Sequence, residues 1–185
     1  MTNPFLVQFA AGPAGPWRID RIEPVVGDSL ILAASLAVHE GGDEPPFEAA
    51  WVLRGTLSNT RYATRAELEA LVARQEGLGR AAATLAALIP IRKNAAWWSL
   101  AQDERRAIVE ADSRHIAMGL EHLPEISRRL HHSRELGEPF DFLTWFEYAP
   151  EHADRFEELV RRLRATAEWR YVDREIDIRL SRIDR

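Results

Sequence analysis

The stretch REIDIRLSRI, residues 174–183, alternates without a break: Ile176, Ile178 and Leu180 fall on one side, Glu175, Asp177 and Arg179 on the other. A repeat of two is that of a strand, and one apolar and one charged face predict a half-buried antiparallel strand. Working back along the chain, FDFLTWFEYA (140–149) is apolar on both faces, which predicts a strand central in a sheet. Between the two, PEHADRFEELVRRLRATAEW has the spacing of an amphipathic helix, with Pro150 early in it, where a missing amide costs nothing.

Further towards the N-terminus, Ser99 and Gln102 predict a capped start to a helix running through DERRAIVEADSRHIAMGLEHL. Pro124 interrupts it by removing a backbone donor, and a further helix is expected over about 124–133. Thr64 and Glu67 form a Thr-x-x-Glu capping box that opens a helix over 64–76, and a second helical stretch over 80–89 should end at Pro90. The first 60 residues read as four strands, 5–11, 17–26, 30–39 and 49–59, separated by turn formers such as GPAGP and EGGDEPP. Strands and helices mix in both halves, so the expected class is α+β.

Composition narrows the function. The chain has 185 residues, a net charge of −5 and no cysteine. Disulfides, thiolate catalysis and cysteine-based zinc sites are excluded, and a basic nucleic-acid face is not expected. No signal peptide or membrane span is read, so a cytoplasmic location is the expectation. Of 24 basic residues only Lys93 is a lysine. Gly-x-Ser-x-Gly and the glycine-rich nucleotide loops are missing.

Two features point to a pocket. Lys93 stands next to Trp97 and Trp98, and an ammonium beside indole N–H donors suits a ligand carboxylate. His115 lies among Ile116, Met118 and Leu120, and Arg128 follows thirteen residues later, beyond Pro124. The proline lets the two approach a planar ligand from opposite sides. A lone histidine on an apolar face is more commonly a satisfied core residue, and the other histidines lack the spacing of a zinc site. The residues alone therefore give an α+β domain with a candidate small-molecule pocket.

LRGTLSNTRY (53–62), GLGRAAATLAALIPIRKNAAWW (77–98), QDERRAI (102–108), RHIAMGLEHLPEISRRLHH (114–132) and GEPFDFLTWFEYAPEHADRFEELVRRLRATAEWRYVDREIDIRL (137–180) carry a resemblance. In this order and spacing they resemble the chlorite dismutase family, in its short, dimeric bacterial lineage. The resemblance implies a dimeric α+β barrel of two ferredoxin-like halves, with antiparallel sheets packed together and helices outside. Residues 1–95 would form the half without haem, supplying part of the cavity rim, and residues 96–185 the half that carries haem b. It implies His115 as proximal iron ligand, Glu168 as the carboxylate holding that histidine, and Arg128 as the catalytic distal arginine. Tyr62, Lys93 and Trp97 would anchor the haem propionates, Gln75 would partner the arginine, and Leu123, Thr144 and Phe146 would wall the distal cavity. No acid–base histidine is expected there. The implied activity is that of an oxidoreductase converting chlorite to chloride and dioxygen with O–O bond formation. A homodimer is expected, with no nucleic acid or membrane partner. The alternatives are a coproheme decarboxylase of haem biosynthesis, or a haem-binding or sensing protein with incidental activity.

Overall fold

Eight strands are present: β1 (Leu6–Gly12), β2 (Trp17–Val26), β3 (Ser35–Glu40), β4 (Trp51–Leu57), β5 (Leu85–Lys93), β6 (Ile126–His132), β7 (Phe142–Tyr148) and β8 (Val172–Arg182). The structure, a computed structural model, describes residues 6–45, 47–57 and 62–183. All strand pairings are antiparallel, and they close a barrel in the order β1-β3-β2-β8-β5-β7-β6-β4. The first four strands lie as β4-β1-β3-β2 and the last four as β8-β5-β7-β6, the same ferredoxin-like order twice.

The halves pack their sheets around one core and are joined edge to edge by hydrogen bonds along two seams. One seam is long, from Trp17↔Arg182 to Val26↔Glu175. The other is short, Thr56↔His132 and Leu57↔His131. β5 lies between β7 and β8, so by strand pairing it goes with the second half although it precedes residue 96.

Two of the expected helices are strands. Residues 80–89 were read as helical, but β5 pairs β7 from Leu85↔Tyr148 to Ile91↔Phe142 and pairs β8 on its other edge. Pro90 fits because the β8 ladder skips residues 89 and 90, where its missing amide is not needed. Residues 124–133 hold β6, paired along its whole length with β7. The expected capping box at Thr64 is present, and α1 (Arg65–Arg74) follows it. A short α2 (Ala95–Ser99) precedes the long helix expected after Ser99, which is broken into α3 (Gln102–Arg106), a π-helical turn over Ala107–Asp112, and α4 (His115–Glu121). Glu104, not Gln102, reaches back to a cap, accepting from the Ala101 amide at 2.7 Å. α5 (Ala153–Arg164) packs on the outside of the second sheet.

On β8, Ile176, Ile178 and Leu180 fill the barrel interior beside Phe9, Leu36, Leu88 and Trp145. The alternation is as expected, but the charged face is covered too: Glu175 and Asp177 are at most 2% exposed. Arg164 of α5 reaches both, with Nε to Glu175 at 2.8 Å and Nη2 to Asp177 at 2.9 Å. Arg179 closes the cluster by pairing with Asp177 and Glu157. Paired in this way, the charges can be buried without an unmatched ion.

Candidate functional site

Between the outer face of the second sheet and the helices lies a cavity of about 320 Å³, with predominantly apolar walls. Strand alternation decides what faces it. Ile89, Ile91 and Lys93 point into it from β5, Arg128, Leu130 and His132 from β6, and Phe142, Thr144 and Phe146 from β7. Opposite them stand His115 and Ile116 of α4, Val160 and Leu163 of α5, and Glu168 and Trp169 of the 3₁₀ turn Ala167–Tyr171. α1 adds Leu71, with Gln75 at its C-cap, and β4 adds Leu57.

His115 opens α4 because the chain turns sharply just before it. Arg114 has φ 52°, a left-handed conformation that costs a non-glycine residue energy and is commonest where function demands it. The π-helical turn ahead of it adds its own shift in phase. The His115 Nδ1–H donates to Glu168 Oε2 at 2.6 Å, which leaves Nε2 as the free ring nitrogen. Glu168 is buried, and its other oxygen accepts from Lys93 Nζ at 2.9 Å. Burial would raise the pKa of this carboxyl, but the charges and hydrogen bonds of His115 and Lys93 outweigh it and hold it down at about 2. Glu168 is thus a fixed anion between two nitrogen donors, and its own amide is tied to Ser113 Oγ at 3.0 Å.

The Lys93 ammonium donates to Glu168 and sits 4.6 Å above the Trp97 ring. Tyr62 packs edge-on against Trp97 with ring centres 5.9 Å apart. Arg128 is partly buried, rooted on the β6 wall with its guanidinium beside Gly119 of α4, and among the described residues it meets neither a hydrogen-bond acceptor nor an ion-pair partner. Desolvation alone pulls its pKa down, from a value so high that the guanidinium stays charged. Gln75 shares the cavity but does not hold Arg128, and its Oε1 has no partner among the described residues. Thr144 and Phe146 line the cavity. Leu123 is buried in the turn between α4 and β6 and is not part of the lining. His132 also lines it, four residues along β6 from Arg128, roughly 13 Å away at strand rise. Trp169 and Glu175 were also missed. The Trp169 Nε1–H donates to Glu175 Oε2 at 2.7 Å, and the clue lay in the charged face of residues 175–179.

The chain itself offers a test of whether haem fits. Buried polar atoms normally find partners. Here Tyr62 Oη, Trp97 Nε1 and Gln75 Oε1 are all buried, all on cavity-lining residues and all without one among the described residues. Two unmet donors near a histidine whose free nitrogen is set by a carboxylate suit a planar acid with a metal at its centre. Among the described residues no cluster of three or more histidines and acids could hold a bare metal ion instead.

A family model described as chlorite dismutase matches residues 45–183. The chain belongs to the chlorite dismutase family. Its structure is similar to that of a dimeric chlorite dismutase from Nitrobacter winogradskyi, with 57% identity, a TM-score of 0.89, and coverage of 96% of this chain and 99% of that one. A mutant chlorite dismutase from Candidatus Nitrospira defluvii superposes with a TM-score of 0.64 over 96% of this chain and 91% of its own. At 20% identity that likeness shows the fold alone. The chlorite dismutase of Ideonella dechloratans is 38% identical over 60 residues, 32% of this chain and 20% of that protein, so the match spans about a fifth of that relative's length. Among the described residues no helix is long and apolar enough to cross a membrane.

Proposed function

We propose that this member of the chlorite dismutase family is a haem b enzyme that converts chlorite to chloride and dioxygen, forming the O–O bond. The observation that carries the reading is the presence in one cavity of His115, fixed by Glu168, and of Arg128, a guanidinium without a partner among the described residues. When bound, haem b supplies an iron at which the oxyanion binds and exchanges oxygen. His115 would hold the iron through Nε2, and Tyr62 and Trp97 would hold the propionates. Glu168, accepting the Nδ1 proton, fixes the tautomer and gives the imidazole imidazolate character. Lys93 keeps Glu168 ionised, so the proton stays shared on Nδ1 and does not wander. Arg128 draws an anion into the apolar cavity and holds anionic species there by charge-assisted hydrogen bonds. Ile89, Leu130 and Phe146 exclude water from that contact.

The Nitrobacter relative is dimeric, and we read this chain as a homodimer likewise, to be checked by its mass in solution. The activity is tested with an oxygen electrode on the haem-loaded protein. Chlorite should yield oxygen. Arg128→Ala should slow turnover by about tenfold or more and bleach the haem, as a charge-assisted contact worth 1.5–3 kcal/mol is lost. His115→Ala should change the Soret spectrum. No oxygen from the wild type, with coproheme and peroxide converted instead, would overturn the reading.

A further inference from the structure

Gly119 stands inside α4, one turn beyond His115 on the same helix face. Its backbone is ordinary helix, so no left-handed angle calls for glycine there. A glycine in a helix interior is a cost relative to alanine. What surrounds it supplies the reason. A methyl carbon placed on Gly119 would overlap the Arg128 guanidinium, lying 2.5 Å from both Cζ and Nη2 and closer still to Nη1. These three atoms are the nearest to the missing side chain.

We propose that Gly119 is the seat of Arg128: the bare face of α4 is what lets the guanidinium lie beside the helix that carries His115. Arg128 reaches across from β6 and, among the described residues, makes no ion pair. Nothing in the described residues bonds to its nitrogens, so the only feature that decides where the charge rests is the shape of this niche. Gly119 is therefore a positioning residue. It touches no ligand itself and acts through the arginine. The inference rests on the reading of Arg128 as the group that holds the anion.

The test is Gly119→Ala, with Arg128→Ala and the double variant, each loaded with haemin and titrated with fluoride at the Soret band. A methyl group displaces the far end of a flexible side chain, so the fold should survive. With alanine the better helix former, the melting temperature of the haem-free chain should hold or rise. Fluoride affinity should fall about tenfold in Gly119→Ala and in Arg128→Ala, and no further in the double variant, since the seat has no purpose without its occupant. Wild-type affinity in Gly119→Ala beside a loss in Arg128→Ala would overturn the seat and leave the proposed function standing. Losses that add in the double variant would overturn it too. Wild-type affinity in Arg128→Ala would remove the reading beneath both. Should Gly119→Ala fail to take up haemin, adding Arg128→Ala should restore uptake by removing the clash; failure of the double variant as well would overturn the seat.

Discussion

His131 is fully buried inside the barrel, its Nδ1–H donating to the Leu143 carbonyl at 3.0 Å and its ring edge-on to Phe9. Burial pushes its pKa down to about 4 from an ordinary 6.5. The unfolded chain therefore binds a proton below about pH 6.5 that the folded chain refuses until about pH 4. Stability is full above 6.5 and falls as the pH drops through that window, by roughly 3 kcal/mol in all for this one group. His131→Asn keeps a donor near the Leu143 carbonyl but cannot titrate. Urea midpoints measured from pH 7 to pH 4 should slope less steeply in that variant than in the wild type, and parallel slopes would assign the acid sensitivity elsewhere. Lys93 and Glu168 have the opposite character. Each is buried as an ion, and each is tolerated because the other is there.

At the scale of elements, α1 differs from the others in having no buried residue. Its attachments are polar: the Thr64 amide to Glu67 Oε2 at 2.5 Å, the Glu67 amide to Thr64 Oγ1 at 3.3 Å, and Arg106 to both Glu67 oxygens at 3.1 and 2.9 Å. The hydrogen bonds and charge of Arg106 hold the Glu67 carboxyl below its usual range. Thr64→Ala should cost about 1 kcal/mol locally. The loss should show as faster amide exchange over 65–74 with little change in global melting, because few apolar contacts tie this helix to the core. The elements the sequence disclosed are those that carry a clean signal: the alternation of β8, the two apolar faces of β7, the capping box of α1. β5 was hidden because LAALIP has no alternation and is rich in helix formers, and pairing on both edges overrode that preference. β6 was hidden because ISRRLHH is polar on both faces. One face carries Arg128 and His132 into the cavity, and the other puts His131 into the core. The site was legible only in part for a related reason. His115 and Glu168 are 53 residues apart, and no spacing rule connects them. Resemblance did so, and the contact between Lys93 and Glu168, 75 residues apart, has no spacing rule either.

At the scale of the whole molecule, the barrel is closed by two unequal seams. The β2–β8 seam runs the length of β2 and most of β8, while β4 and β6 meet only at Thr56↔His132 and Leu57↔His131. The short seam is helped by Thr56 Oγ1 donating to the His132 carbonyl at 3.3 Å and by Arg129 reaching Glu40 at 3.0 Å. It also depends on close approach at Gly55, where a Cβ would lie 2.6 Å from His131 Cβ and 2.9 Å from Ser133 Oγ. Here the obstruction is the stem of a side chain on a strand, which cannot swing aside as the tip of an arginine can. Gly55→Ala must therefore push β6 away from β4. The cost should be about 1–3 kcal/mol, as for an overpacked core. Since β6 also carries Arg128, the same displacement should disturb the cavity wall, so the haem-loaded variant should lose fluoride affinity as well as stability. Amide exchange should quicken along 126–132 and stay slow along β2 and β8. Uniform quickening around the barrel would mean that the two seams are not independent and that closure is lost as a single event.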